Sequence, residues 1–243
     1  MSALVISGRA LFMGDRKYSC RANSVVIDFG AEMKDDTTLC DTTRSNKPGL
    51  FTVGVAMEGL YDPDEYDAAL FASVGVVDVP LSVSAGGTAV GDIAYTVKVN
   101  TGSYNIGGPI GDIMPFSLEA QSNSKVVRGV LGINAEAVTA SGSAANVNLG
   151  AVTSAQTLYA SLHVVESGGS GDQTLDVIIE SDATTAFSGS EATRLTFAQA
   201  TTAATSEWVE VSGPITDEYF RVDYTIAGSG SPSFDFFVVF ARQ

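Results

Sequence analysis

The chain has 243 residues, of which 28 are acidic and 13 basic, so its formal net charge is −15. This acidity disfavours a nucleic-acid binder that works by neutralising phosphates, and a hydrophobic content of 45% excludes a disordered chain. Only 17% of the residues are charged and no heptad repeat is present, which excludes a coiled coil. One histidine and two cysteines leave little material for a zinc or iron site. We therefore predict a protein without a metal or cofactor.

The start of the chain does not look like a targeting segment. Residues 7–9 are Ser, Gly and Arg, where the apolar core of a signal peptide would have to continue. The longest stretch without Asp, Glu, Lys or Arg, residues 137–165, is too rich in polar residues to sit in lipid. We expect no signal peptide, no membrane span and a cytosolic place of synthesis, where Cys20 and Cys40 would remain free thiols.

Alternating apolar residues predict two strands early in the chain, because successive side chains of a strand leave opposite faces. The apolar positions are Val25, Ile27 and Phe29 in the first run and Phe51, Val53, Val55 and Met57 in the second.

A single helix is predicted over residues 63–74. Asp62 can act as its N-cap, Pro63 suits the first helical position, and Glu65 completes a variant of the capping box. The apolar face would consist of Tyr66, Leu70 and Val74. Gly75 is a natural terminator at the C′ position.

The most unusual segment, residues 34–48, lies between the two early strands and reads KDDTTLCDTTRSNKP. Loops longer than about 12 residues without structure of their own are usually functional or disordered. Mixed charges and many hydroxyls suit docking onto another polypeptide, with a merely flexible loop as the alternative. The residues that we expect to form this interface are Lys34, Asp35, Asp36, Thr37, Thr38, Leu39, Asp41, Arg44 and Lys47.

The second half of the chain shows short alternating strands separated by turn clusters rich in Gly and Ser, which predicts a β-sandwich. Examples are Leu175, Val177 and Ile179, and Phe220, Val222, Tyr224 and Ile226. The closing run, residues 234–240, is almost continuously apolar. This pattern indicates a strand that is covered on both sides or lies at an interface.

Composition shifts near residues 129–132 and suggests two domains. Residues 1–131 hold 10 basic and 15 acidic side chains, whereas residues 132–243 hold 3 basic and 13 acidic. We predict a mostly β protein. Residues 1–131 would form a β-sandwich or barrel with one flanking helix, and residues 132–243 a C-terminal β-sandwich.

No combination of residues points to catalysis. His163 is the only histidine and sits in a strand-like run, so we interpret it as a packed or surface residue. The acidic cluster at residues 62–67 is explained by the start of the helix and does not have the spacing of a calcium loop. We predict no catalytic residue and no enzyme activity.

The order of features in residues 1–131 resembles the tail tube proteins (major tail proteins) of long, non-contractile-tailed bacteriophages. The features that carry the resemblance are Leu11–Gly14, the strand Val25–Glu32, the loop Thr37–Arg44, Pro48–Leu50 before the strand Phe51–Gly59, the acidic helix start, Val79–Leu81, Gly111–Leu118 and Arg128-Gly129.

This resemblance implies a virion tail protein that is assembled in the host cytoplasm. Six subunits would join their inner sheets into a ring, and rings would stack partly through the loop that residues 34–48 match. Genome DNA would pass through the lumen during ejection without specific binding. Other partners would be further tail proteins, and residues 132–243 would form an immunoglobulin-like or other β-sandwich domain on the outside.

An acidic lumen wall would repel DNA phosphates over about 8 Å at physiological salt. It would need carboxylates from the first half of the chain, such as Asp28, Glu32, Glu58 or Glu119, and the sequence alone does not say which of them face inward.

Two other functions fit the same sequence. A capsid decoration protein would use a similar C-terminal sandwich. A carbohydrate-binding sandwich could use Trp208, Tyr219 and Tyr224 as a stacking face, although core aromatics on strands explain these residues better.

Overall fold

A computed structural model describes residues 10–40, 42–64 and 66–243. The expectation of no signal peptide, the interface residue Asp41 and the capping residue Glu65 therefore fall outside the described residues. Within them the chain is mostly β, as predicted. The elements are β1 (Leu11–Met13), β2 (Arg16–Lys17), β3 (Ala22–Asp35), β4 (Asn46–Leu60), α1 (Asp67–Ser73), β5 (Val79–Ser84), β6 (Ile93–Ile106), β7 (Pro115–Ser122), β8 (Val127–Val138), β9 (Gly142–Ser143), β10 (Val147–Asn148), β11 (Thr157–Gly168), β12 (Thr174–Asp182), β13 (Ala192–Thr196), β14 (Thr205–Ser212), β15 (Tyr219–Ala227) and β16 (Ser233–Arg242).

The chain divides into two compact units, and neither is one continuous segment. We call them the sandwich unit (Met1–Ser19, Val79–Thr96 and Val127–Gln243) and the hairpin unit (Cys20–Asp78 and Val97–Val126). This differs from the single division at residue 131, since β8 runs through that point. Composition cannot reveal the difference, because it does not report that β1 pairs with β5 in the sheet that also contains β8 and β16.

The sandwich unit contains two antiparallel sheets. The first has the order β14-β11-β16-β8-β6-β5-β1-β2, and the second has the order β10-β15-β12-β13 with β9 also on β15. The predicted apolar positions Leu175, Val177, Ile179, Phe220 and Val222 are all fully buried in the core of this unit.

Strand β16 confirms the prediction of a strand covered on both sides. Phe234, Phe236 and Phe240 belong to the main core of the unit. Phe237 points to the opposite face and stacks on Phe12, with ring centroids 4.2 Å apart. The run is nearly continuous in apolar residues because both faces of this strand need them.

The hairpin unit is built on an antiparallel sheet in the order β3-β4-β7-β6, to which β6 contributes its residues from Val97 onward. Val53, Val55 and Met57 are buried and alternate with exposed or half-buried neighbours, as predicted.

The predicted helix exists, but it begins at Asp67 and not at Pro63. The Asp62 carboxylate accepts a hydrogen bond from the Asp64 amide at 3.1 Å and forms an ion pair with Arg21 at 2.8 Å. It therefore closes a turn and does not cap the helix. The predicted terminator, Gly75, does follow the helix with a positive φ of 83°. Leu70 is buried as expected, whereas Val74 is exposed.

No helix in the described part of the chain combines the length and the apolar composition needed to cross a membrane.

Candidate assembly surface

Strand register defines two faces of the sheet in the hairpin unit, because residues directly opposite each other in antiparallel strands share a face. One face, which we call the core face, contains Val55 opposite Ala120 and Met57 opposite Leu118, all buried. On this face Tyr104 lies opposite Leu118 and donates a hydrogen bond to Asp67 of α1 at 3.0 Å. Burial, followed by this bond to a carboxylate, raises the pKa of the Tyr104 hydroxyl.

The other face, which we call the acidic face, carries three exposed carboxylates. Asp28 lies opposite Gly54, Glu58 opposite Ser117, and Glu119 opposite Ala56. Other paired residues on this face include Ser24, Val26, Gly30, Thr52, Leu60, Asn100, Ser103, Asn105, Pro115 and Gln121. None of these paired residues is basic. The nearest basic residue along β6 is Lys98, which lies two positions before Asn100 on the same side of the strand.

The structure thus brings together three of the four carboxylates that the sequence suggested. The fourth, Glu32, lies at the β-bulge between Ala31 and Met33 and forms an ion pair with Lys34. Sequence alternation indicates that Asp28 and Val26 share a face. It cannot show that β4 and β7 add carboxylates to the same face.

Strand β3 and the last residues of β6 have edges with which no described strand pairs. Strand β3 pairs with β4 alone. The outer side of β6 is occupied at Thr101, whose amide donates to Val76 and whose carbonyl accepts from Gly75. On this outer side, residues 102–106 of β6 have no pairing partner in the part of the chain that the structure describes. Unpaired strand edges are templates for strands of another chain.

Strands β3 and β4 continue past the rest of the sheet. The last row that includes β7 pairs Val53 with Ser122, and β4 begins at Asn46. The part of β4 beyond that row extends about 20 Å at 3.3 Å per residue. We call this projecting hairpin, residues 30–52, the arm.

The arm is more ordered than the loop that the sequence predicts. Lys34, Asp35 and Lys47 lie within the two strands, and the pairing continues beyond them. The Asp36 amide donates to the Ser45 carbonyl at 3.0 Å, and the Ser45 amide donates to the Thr37 hydroxyl at 2.9 Å.

Side chains of the arm pair mainly with each other. Lys47 contacts Asp36 at 2.6 Å, and this hydrogen bond lowers the pKa of the Asp36 carboxyl. Hydrogen bonds from Thr37 lower the pKa of Asp35 in the same way. Thr38, Leu39 and Arg44 lie in the connection, where Leu39 is fully exposed. That these residues form an interface stays a prediction.

The arm also carries exposed apolar side chains that the sequence does not predict. Leu50 is 78% exposed, Phe51 65% and Met33 60%. Lys125 lies over the Phe51 ring at 5.4 Å from its centroid. The sequence places Phe51 in a strand with Val53 and predicts burial, because alternation does not show that the strand extends beyond its cover.

Exposed apolar residues are concentrated in one unit. Among the described residues, every large exposed apolar side chain except Ile93 belongs to the hairpin unit. They include Phe29, Met33, Leu39, Leu50, Phe51, Phe71, Val77, Ile110 and Ile113. A water-soluble monomer rarely exposes apolar side chains in such number on one part of its surface.

The histidine of the sandwich unit is packed. His163 is fully buried, with Nδ1 2.7 Å from the Gly14 carbonyl oxygen and Nε2 2.8 Å from the Ser82 hydroxyl. Because a carbonyl can only accept, Nδ1 carries the proton and Ser82 donates to Nε2. Ser82 is itself fully buried and bonds to Thr96 and Ser161 at 2.9 Å, so a substrate cannot reach its hydroxyl.

Both arginines of the second sheet are paired with carboxylates. Arg194 contacts Asp217 at 2.7 Å and Arg221 contacts Glu180 at 2.9 Å. Hydrogen bonds from Ser181 and then Arg194 lower the pKa of Asp217. In the described ranges no three His, Cys, Asp or Glu side chains are grouped so that they could hold a metal ion.

The aromatic residues considered for carbohydrate stacking do not form one face. Trp208 lies on β14 of the first sheet, next to Tyr159 at 5.9 Å between centroids. Tyr219 and Tyr224 lie on β15 of the second sheet, five positions apart and so on opposite faces. The idea of a shared stacking face is therefore wrong. Cys20 and Cys40 are exposed free thiols.

Neither a protein-family model nor a curated protein matches the sequence. Several solved structures resemble it. A chain from the virion of a native gene transfer agent particle is 16% identical, with a TM-score of 0.42, over 51% of this chain and 97% of its own. A chain of the SPP1 tail tube is 6% identical, with a TM-score of 0.42, over 52% and 78%.

The SPP1 Dit protein, described as a paradigm of the hub adsorption apparatus in phages infecting Gram-positive hosts, is 11% identical. Its TM-score is 0.38 and the match covers 97% of this chain and 99% of its own. These three similar structures come from a virion, a tail tube and a hub adsorption apparatus.

Proposed function

We propose that this protein is a structural subunit of a virion tail, which forms stacked rings around a lumen that conducts genome DNA. The observation that carries the proposal is the sheet of the hairpin unit. It has one buried face, one exposed acidic face and, among the described residues, open edges along β3 and along residues 102–106 of β6.

The strand directions are compatible with edge-to-edge pairing between copies. Strands β3, β4, β7 and β6 alternate in direction across the sheet, so β3 and β6 run antiparallel. The β6 edge of one copy can therefore continue into the β3 edge of the next as ordinary antiparallel pairing. A head-to-tail interface of this kind closes into a ring when its rotation divides a full turn. We expect six copies, as the resemblance to tail tube proteins implies.

The acidic face would line the lumen of such a ring. Asp28, Glu58 and Glu119 would repeat once per subunit and present negative charge to DNA. Their repulsion of phosphates decays over about 8 Å at physiological salt, so DNA passes without being held. The arm would contact the next ring, and other tail proteins would cap the stack.

Electron microscopy of the purified full chain at increasing protein concentration tests the proposal. We expect closed rings, and tubes at high concentration, with a strong salt dependence because each copy carries a net charge of −15. Protein that stays monomeric at high concentration and high salt, or that forms compact trimers as a capsid decoration protein would, contradicts it.

A further inference from the structure

We infer that an open cavity in the hairpin unit binds a protonated aliphatic amine, which is an ammonium group on a hydrocarbon chain, as in a polyamine. The cavity, which we call the amine cavity, has a volume of about 350 Å³. The inference goes beyond the proposed function, because every residue of the site belongs to a single copy. The lining residues are Asn23, Glu58, Gly59, Asn105, Ile106, Gly107, Pro115, Phe116 and Ser117.

Strand register builds the polar side of the amine cavity. Glu58 of β4 lies opposite Ser117 of β7, and Ser117 lies opposite Asn105 of β6. Because directly opposite residues share a face, these three side chains form one row across the acidic face. Asn23 of β3 joins them as the extra residue of a β-bulge in that strand, and a bulge redirects a side chain.

The four polar side chains of the cavity are not used elsewhere in the protein. Among the described residues, none of them has a hydrogen-bond or ion-pair partner for its side chain; they are Asn23, Glu58, Asn105 and Ser117. Ligand sites in proteins typically combine a concave shape with a few polar groups that converge on it. The unengaged side chains are therefore available to a ligand.

The chemistry of these groups matches an ammonium ion. An ammonium group has three N–H donors and no acceptor. The Glu58 carboxylate can accept one of these hydrogen bonds, and the amide oxygens of Asn23 and Asn105 can accept the others. Among the lining residues, all of which the structure describes, Glu58 is the only charged one. A cation is thus attracted to the cavity and an anion is repelled.

An apolar wall beside the polar row favours an amine over a metal ion. The wall consists of Ile106, Pro115 and Phe116, and Ile106 lies opposite Phe116 in the row next to that of Ser117. A hydrocarbon chain is removed from water on such a wall while its charged head stays with the polar groups. A hydrated metal ion gains nothing from it, and Ca²⁺ takes about six to eight oxygen ligands, more than a single carboxylate and its neighbours supply here.

Occupation of the cavity would change the charge of the acidic face. Glu58 is one of the three exposed carboxylates on that face. A bound ammonium offsets its charge and leaves those of Asp28 and Glu119. The amine would therefore weaken, but not abolish, the repulsion between this face and another anion.

An NMR titration of the dilute, unassembled full chain with putrescine tests the site. The side-chain amide signals of Asn23 and Asn105 report on the cavity directly. We expect both signals to shift and to saturate. Mg²⁺, which has the same charge as putrescine, should need at least about tenfold higher concentration at equal ionic strength, because it cannot use the apolar wall.

Two variants of unchanged side-chain shape separate the cavity from the general charge of the acidic face. E58Q removes the carboxylate from the cavity and should weaken putrescine binding at least about tenfold. D28N removes the same charge from the same face. Asp28 lies opposite Gly54, about 13 Å along β4 from Glu58 at 3.3 Å per residue, so D28N should bind putrescine like the wild type.

Three results would each overturn the amine site. They are Asn23 and Asn105 signals that do not shift, Mg²⁺ that acts at the same concentration as putrescine, and an equal loss of binding in E58Q and D28N. Ring formation is judged separately by electron microscopy, since the titration uses single copies.

Discussion

At the scale of single residues, His163 is held in a buried hydrogen-bond network. The setting of His163 in an apolar run identifies it as a residue of a strand. Its partners, Gly14 and Ser82, are far away in the sequence, so no local pattern predicts the network. The carbonyl of Gly14 fixes the tautomer, and burial lowers the pKa of His163 from 6.5 to about 4.

The first prediction concerns this pKa. Because the neutral imidazole is favoured in the folded state, the unfolded state takes up a proton first as the pH falls. The wild type should lose about 3 kcal/mol of stability between pH 6.5 and pH 4 through this residue. H163Q should be less stable at pH 7, by about 1–3 kcal/mol, but should lack this part of the pH dependence.

Urea unfolding monitored by the fluorescence of Trp208, the only tryptophan, reports on the sandwich unit. Carboxylates with lowered pKa values, such as Glu136 and Asp217, also cost stability in acid, but they do so equally in both proteins. If the free energies of unfolding of wild type and H163Q fall in parallel between pH 6.5 and 4.5, this would falsify the lowered pKa of His163.

The second prediction compares two glycines of β4. A Cβ at Gly59 would lie 2.3 Å from the Arg21 carbonyl oxygen and 2.6 Å from the Phe116 ring, whereas a Cβ at Gly54 would meet nothing within 4 Å. G59A should destabilise the hairpin unit by about 1–3 kcal/mol through overpacking. G54A, the matched control, should be neutral or slightly stabilising. Scanning calorimetry measures the unfolding temperatures of both variants. Equal unfolding temperatures would contradict the close approach of the Arg21 carbonyl and the Phe116 ring to Gly59.

At the scale of elements, alternation predicts which strands exist but not where they end. The segment 34–48 has no apolar periodicity, yet its ends continue β3 and β4 because backbone pairing needs no particular side chain. The start of α1 is mispredicted because a side chain with the chemistry of a helix cap is used elsewhere. Asp62 has the chemistry of a cap, but Arg21, a residue distant in sequence, engages its carboxylate.

The third prediction concerns the end of the arm. The Thr37 hydroxyl accepts a hydrogen bond from the Ser45 amide, and the Thr37 amide donates a hydrogen bond to the Asp35 carboxylate at 2.9 Å. T37V keeps the shape of the side chain and removes the hydroxyl, so the Ser45 amide should exchange with solvent severalfold faster. Hydrogen exchange by NMR on dilute, unassembled protein measures this. T43V, altered in the exposed connection, should exchange like the wild type, and unchanged exchange at Ser45 in T37V would count against the hydrogen bond.

At the scale of the whole molecule, charge is distributed by face and not only by domain. Residues 132–243 carry most of the excess negative charge. Because these residues are expected on the outside, their charge does not indicate an acidic lumen. The register nevertheless collects Asp28, Glu58 and Glu119 on one bare face. The sequence identifies these carboxylates as candidates, but only long-range strand pairing shows that they lie together.

The fourth prediction tests that face. Assembled tubes of E58K/E119K should bind a short DNA duplex at least about tenfold more tightly than wild-type tubes at 150 mM salt. The bound DNA should be protected from nuclease, since it would lie inside. The control E166K/E218K makes the same charge change on exposed positions of the sandwich unit, and DNA bound to it should be digested. Equal digestion in both variants would place the acidic face on the outside.

The discontinuous sandwich unit also constrains how such a protein can be altered by recombination. Its sheet joins β1 near one end of the sequence, β5 and β6 in the middle, and β8, β11 and β16 later on. A single genetic crossover near residue 131 would combine β1 and β5 from one parent with β16 from the other, and it would mismatch Phe12 against Phe237. Exchange of this unit as an interchangeable module therefore requires four coordinated crossovers, one at each boundary between the two units, or co-inherited compensating substitutions. Natural variation is expected to accumulate more freely in the surface turns than by shuffling whole units.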